Sequence, residues 1–278
     1  MWSSWSHGRR IGVLTAVATI VVLPLVIFVL GPHMPPGNHT EVAKGQRSDN
    51  VVLLVVMTPF TMFILVYLGY ALAVFKQPKS ATLKDGPPIK GHMKSQIVWL
   101  ATTTVAVLFL AIFGTAELLT GNGSGGGEGP SPIAKPSGTV LPVQVIAQEW
   151  EFTYRYPTYG GVETAQLVIP AGTQIEFHVT SLDVVHSWWA YQLGVKADAN
   201  PGVDNVAYVK TGNPGSFQVR CAELCGLWHG YMYDTGKVVS TADFASWIKG
   251  ERDYFAPVMK VLPPYAKTYA PDPQYRAG

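Results

Sequence analysis

CAELCGLWHGYM, residues Cys221–Met232, holds both cysteines of the chain. A histidine stands four residues past the second cysteine, and a methionine three residues further on. Two cysteines outside a cell membrane commonly form a disulfide, and from the cysteines alone that is the simpler reading. A disulfide needs no histidine or methionine beside it, however. Here His229 and Met232 follow at short fixed steps, in a loop between predicted strands. His186, in SLDVVHSWW at the end of an earlier strand, is a further candidate. Cysteine, histidine and methionine are the soft and borderline ligands that favour copper. A mononuclear blue-copper site takes two histidines, one cysteine and a weak axial methionine. This chain offers that set and one cysteine more. Two thiolates can bridge two metal ions, each completed by one imidazole. Met232 and a backbone carbonyl between the cysteines would fill the outer positions. An unpaired electron spread over two metals changes geometry little, which suits a relay rather than a bond-making catalyst. The disulfide remains the alternative.

The rest of the chain sets the context. Hydrophobic residues make up 48% and charged residues 14%, lean for a soluble protein, and the net charge of +2 gives nucleic acid no handle. Three uncharged runs decide the class: Ile11–Leu30, Val51–Phe75 and Ser95–Ala116. Each reaches the ~20 residues that span a bilayer's hydrocarbon. Between the second and third lie Lys76, Lys79, Lys84, Lys90 and Lys94 against Asp85 alone. By the positive-inside rule that loop is cytoplasmic, and everything after Ala116 is extracytoplasmic. Arg9 and Arg10 put the N-terminus inside. The first run also reads as a signal peptide, but it is long for one. GPHMPPGNH after it has no clean small-x-small cleavage site.

Five segments follow: 1–50, a leading membrane helix or signal anchor with a short external loop; 51–120, a helical hairpin; 121–139, a Gly/Ser/Pro linker; 140–255, a β domain; 256–278, an extended Pro-rich tail. In the β domain, VQVIAQEWEFTYRYP, AQLVIP, TQIEFHVTS, VDNVAYVK, GSFQVR and GKVVS read as strands. AQLVIP and TQIEFHVTS are joined by a tight PAG turn. Turn signals recur at the spacing of a sandwich or barrel. Ser240 and Asp243 form a capping box for one helix, TADFASWIKGE.

HSWW, KADANPG and CAELCGLWHGYM together resemble subunit II of the haem–copper cytochrome c oxidases of the copper-A class. The resemblance runs from about residue 50 to about residue 250. It implies N-terminal transmembrane α-helices followed by an all-β cupredoxin-like Greek-key barrel. It implies a binuclear copper-A centre held by His186, Cys221, the main-chain carbonyl of Glu223, Cys225, His229 and Met232. Trp150 is the implied electron entry, with Phe152 where relatives often carry a second tryptophan. Glu223 and Asp198 are implied near a magnesium or manganese ion shared with subunit I, a hard cation suited to carboxylate and water. The implied partners are cytochrome c as donor, subunit I with its haem, other oxidase subunits and membrane lipid. The implied place is a bacterial-type inner membrane, with the copper domain outside. Oxygen reduction and proton translocation belong to the whole complex.

Other residues read more plainly. His178, alternating with apolar neighbours in EFHVTS, is a hydrogen-bonded strand histidine. His7, His33, His39 and His92 flank membrane segments. Gln96 stands where relatives carry a proton-path glutamate three residues before a tryptophan, and an amide cannot ionise. No CxxCH occurs, so no covalent haem c is held here. Competing readings are a copper-A relay of a nitric oxide reductase-type complex, a copper-free quinol oxidase relative, and a membrane-anchored copper chaperone of thioredoxin-like fold.

Overall fold

The computed structural model describes residues 4–37, 39–76, 86, 91–120, 125–126 and 139–261. Lys79, Lys84, Asp85 and Lys90, nearly all of the 121–139 linker, and residues 262–278 lie outside the described residues. The described chain divides into two compact units. One draws on residues 1–34 and 48–117, the other on 35–47 and 118–278.

The first unit is helical. α1 (His7–Leu25) starts where the Ser6 hydroxyl accepts the Arg9 amide at 3.3 Å, so an N-cap closes it. α2 (Glu41–Val74) begins well before its uncharged run, and α3 is Met93–Thr120. All three are long and apolar enough to cross a membrane. Their leucines, valines and phenylalanines are largely exposed. In water that surface would be costly, at about 25 cal/mol per Å²; in hydrocarbon it is matched.

The second unit is a sandwich of two sheets. Its strands are β1 (Gly125–Gly126), β2 (Leu141–Gln148), β3 (Glu151–Tyr156), β4 (Val162–Thr164), β5 (Val168–Pro170) and β6 (Gln174–Ser181). They continue as β7 (His186–Ala190), β8 (Val195–Ala199), β9 (Asn205–Lys210), β10 (Gly215–Cys221) and β11 (Tyr233–Val239). One sheet runs β1-β9-β6-β2-β3-β4, the other β5-β11-β10-β7-β8. Alternation explains the packing. On β10, Phe217, Val219 and Cys221 point inward, while Gln218 and Arg220 face out. β2 is buried on nearly every position because it sits between β3 and β6 and pairs in parallel with β6. The core between the sheets is aromatic. Trp188 and Phe177 meet with ring centroids 4.6 Å apart. The Phe217 ring lies over Gly236, where any Cβ would collide with it.

The PAG segment is a turn, but the strands it joins belong to different sheets. β5 pairs with β11 and β6 with β2 and β9. The Ala171 amide donates to Val239 and the Gly172 amide, at φ +67°, to Thr211, which anchor the crossing. α4 (Thr241–Met259) is capped as its sequence predicts: the Ser240 hydroxyl accepts the Asp243 amide at 3.1 Å. Phe244 and Ile248 are buried, and Trp247 meets Tyr156 edge-on at 5.4 Å. The helix runs to Met259, so residues 256–259 are helical rather than extended.

Residues 35–47 belong to the β unit. Thr40 is buried; its hydroxyl donates to the Leu193 carbonyl at 2.6 Å and accepts the Ala43 amide at 3.0 Å. Gln46 donates to the Gly194 carbonyl, and the Gly212 amide donates to His39. The segment before the second membrane run is therefore part of the domain that follows the third.

Candidate metal centre

The ligand stretch is the hairpin loop between β10 and β11. The ladder ends at the pair Arg220↔Tyr233, and the Cys221 amide then donates to the Met232 carbonyl at 3.0 Å. This closes the loop with one sulfur ligand at each base. Inside it, Gly226 has φ +103°, a conformation that side chains disfavour. A short turn over His229–Tyr231 brings the histidine back.

His186 reaches the loop from the neighbouring strand. It does not end the earlier strand, as the sequence suggests: that strand stops at Ser181, and His186 is the first residue of β7. The bend between them is tied by Asp183. Its carboxylate accepts the Glu149 amide at 2.7 Å, the Val184 amide at 2.6 Å and the His186 Nε2 at 2.9 Å. Burial pushes the Asp183 carboxyl upward. Hydrogen bonds from the Glu149 amide, His186, the Val184 amide and Ser181 outweigh it and hold it at about 2. An ionised carboxylate on Nε2 requires a proton there, leaving the Nδ1 lone pair to face the sulfurs. Sequence reasoning missed Asp183; its signal was an acid three residues before a candidate ligand.

The donors converge. Cys221 Sγ lies 3.9 Å from His186 Nδ1 and 3.2 Å from the Glu223 carbonyl. Cys225 Sγ lies 3.4 Å from His229 Nδ1 and 3.8 Å from Met232 Sδ. The two sulfurs are 3.7 Å apart, and both cysteines are free. A disulfide would hold them near 2.05 Å. His186, Cys221, Cys225 and Met232 are buried, whereas His229 is partly exposed. Among the described residues, His186, Cys221 and Cys225 form the one group of three or more such side chains close enough to share an ion. Burial first, then the Cys221 sulfur, push the Cys225 thiol up to about 12, and Glu149 and Asp183 add repulsion. A thiolate here needs a cation beside it. The chemistry of the donor set, two thiols, two imidazole nitrogens, a thioether and a main-chain carbonyl, fits copper.

Trp150 touches this loop. Its indole donates to the Cys225 carbonyl at 2.9 Å, and its ring packs over Gly226. Glu223 is exposed, its carbonyl turned to Cys221. Asp198, on β8 opposite Ser187, takes that serine's hydroxyl. The structure does not gather Glu223 and Asp198 into a metal group of their own. His178 holds the role its alternation suggests: Nδ1 binds the buried Asp204 at 2.8 Å, with Glu176 3.5 Å from Nε2.

Comparison with known proteins finds relatives named as subunit II of cytochrome c oxidase. A family model described as cytochrome c oxidase subunit II, periplasmic domain, matches residues 161–239. Cytochrome c oxidase subunit 2 of Thermostichus vulcanus is 27% identical over 271 residues, covering 82% of each chain. The Synechocystis sp. protein of the same name is 25% identical over 280 residues, covering 84% of this chain and 81% of that one. Among solved structures, the periplasmic domain of subunit II of cytochrome oxidase (CoxB) of Bradyrhizobium japonicum is 30% identical. It covers 41% of this chain and 95% of that chain, with a TM-score of 0.40.

Proposed function

We propose that this chain, which belongs to the cytochrome c oxidase subunit II family, serves as the electron-accepting subunit of that oxidase through a binuclear copper-A centre. The observation that carries the reading is the sulfur pair 3.7 Å apart with an imidazole Nδ1 facing each sulfur. His186, Cys221, Cys225, His229, Met232 and the Glu223 carbonyl would hold the metals. When bound, the copper pair supplies a one-electron carrier whose charge change is shared over two metals and two sulfurs.

The chain's own groups do the rest. The β10–β11 hairpin and β7 hold the donors in place before metal arrives, which keeps reorganisation small. Asp183 fixes the His186 tautomer and the orientation of its ring. Trp150 is the electron entry: it is half-buried, so one edge meets a partner while its N–H rests on the peptide of a ligand. Glu149, Glu151 and Asp183 make its surroundings acidic, which suits a basic cytochrome c and speeds encounter. The exposed Glu223 carboxylate is open to a magnesium or manganese ion at a subunit I interface, with Asp198 reaching it through water. The haem that takes the electron lies in subunit I, and oxygen reduction and proton translocation belong to the assembled complex. Gln96, at the start of α3, is an amide and cannot ionise, so this subunit does not supply the proton-path carboxylate there. The lysine-rich connector supports a cytoplasmic loop and an extracytoplasmic β domain. A thioredoxin-like chaperone fits poorly, because α4 follows the strands rather than crossing between them.

The test is copper stoichiometry and electron paramagnetic resonance on the full-length protein loaded with copper. Two coppers per chain, with the unpaired electron coupled equally to both nuclei, is the expected result. One copper, or none, would overturn the reading.

A further inference from the structure

The leading helix α1 and the first hairpin helix α2 leave a groove between them that the copper site does not use. It measures about 500 Å³ and is lined by Leu14, Val17 and Val21 of α1 and by Val66 and Tyr70 of α2, among others. Every lining side chain is aliphatic except Tyr70. Val17 is 54% exposed and Val21 68%, so the groove opens sideways, toward hydrocarbon.

Its chemistry changes at one end. Helical spacing carries the stripe Val21–Val17–Leu14 on to Arg10 and then His7, toward the start of α1. His7 is fastened to α2 there. Its Nδ1 lies 2.7 Å from the Tyr70 hydroxyl, and its ring centroid is 5.1 Å from that of Phe75. With the Tyr70 hydroxyl donating, the imidazole proton sits on Nε2, where it can meet an anion. Lys76 follows Phe75 directly and is exposed. The sequence places no acid among these cations: residues 1–40 and 51–84 contain neither Asp nor Glu. Arg9 lies on the far side of α1, its guanidinium 4.3 Å from the Trp5 ring centroid. The lysine-rich connector leaves α2 at this same end, so the end faces the cytoplasm; this rests on the sidedness proposed above.

We propose that the α1–α2 groove binds one anionic phospholipid of the cytoplasmic leaflet, with its phosphate at Arg10 and His7 and an acyl chain along Leu14, Val17 and Val66. Any bilayer wets a membrane helix; this groove adds selection by headgroup. A zwitterionic lipid brings its own ammonium, which Arg10 and Lys76 repel. An anionic one brings none, and basic pockets between membrane helices on the cytoplasmic side suit such headgroups. The occupant is a lipid rather than a free phosphate because most of the site is apolar wall, which rewards a chain and gives a bare anion nothing.

The test uses the full-length chain, delipidated in detergent and titrated with phosphatidylglycerol, phosphatidylcholine or glycerol phosphate, with native mass spectrometry as the readout. One phosphatidylglycerol per chain is expected, held more tightly than phosphatidylcholine by more than about tenfold. Arg10→Gln should weaken phosphatidylglycerol roughly fivefold and leave phosphatidylcholine unchanged. Val17→Trp, which fills the groove, should weaken both lipids. Arg9→Gln, off the stripe, should change either by less than about twofold. Equal affinity for the two lipids would overturn the proposal. Equal losses in Arg9→Gln and Arg10→Gln would do the same, since diffuse charge and not the groove would then be responsible. Displacement of the lipid by glycerol phosphate would make this a free-phosphate site, and an intact mass lacking α1 would remove the site altogether; either result sinks the idea. Copper per chain, measured on the same samples, should not differ among the variants, so a failed copper centre would count against the relay reading and not against the groove.

Discussion

The two histidines facing the sulfur pair are held in different ways. His186 starts a sheet strand, is fully buried, and has its outer nitrogen on a carboxylate. His229 sits in a short turn of the hairpin loop, is partly exposed, and its Nδ1 faces Cys225 at 3.4 Å. One side of the site is built by tertiary structure, the other by local chain geometry. The first side is closed to solvent, and the second is open to it.

The largest expected effect breaks this comparison outright. His186→Gly and His229→Gly should each abolish the copper-A spectrum. Added imidazole should restore it in His229→Gly, whose position opens to solvent. It should fail in His186→Gly, where the lost ring was sealed in the core. Equal rescue at both positions, read by optical and paramagnetic spectra, would erase the distinction. Next, Asp183→Asn should weaken copper binding by roughly 10–100-fold, the usual cost of losing a ligand's supporting carboxylate. A competition titration against a chelator measures it, and no change would mean the Asp183 contact is structural only.

Smaller effects sharpen the loop side. Gly226→Ala forces a side chain into φ +103° against the Trp150 ring, at about 1–3 kcal/mol. Thermal unfolding should show the loss. Thr40→Val leaves the buried Leu193 carbonyl without its donor, about 1–3 kcal/mol, and should lower stability with no change in copper stoichiometry. Trp150→Phe removes one hydrogen bond to the Cys225 carbonyl, about 0.5–1.5 kcal/mol. Copper should stay, while electron uptake from reduced cytochrome c slows in stopped flow.

The ligand loop was legible because its information is local. Cys221, Cys225, His229 and Met232 share one hairpin loop, so their spacing states their chemistry. The helices were legible for a similar reason: an uncharged run of membrane length needs no partner to be recognised. Asp183 was visible in SLDVVHSWW yet carried no meaning until the bend after β6 folded it onto His186. The PAG turn announced a reversal but not that it changes sheets, since turn residues specify backbone angles and not partners. Thr40 sits in a stretch whose composition resembles a plain connector; its burial depends on Leu193 and Thr211, far along the chain.

By itself, then, the sequence determined the three membrane-length helices, the β character of the second half and most of the side chains that converge at the candidate metal centre. These follow from composition and short-range spacing, which physical chemistry reads directly. Only the tertiary structure decided strand order, the carboxylate behind His186 and the packing of residues 35–47 on the β unit. Each of these depends on cross-strand register between distant segments. Such register is set by packing of the whole core, a sum of many small contacts that no single stretch encodes.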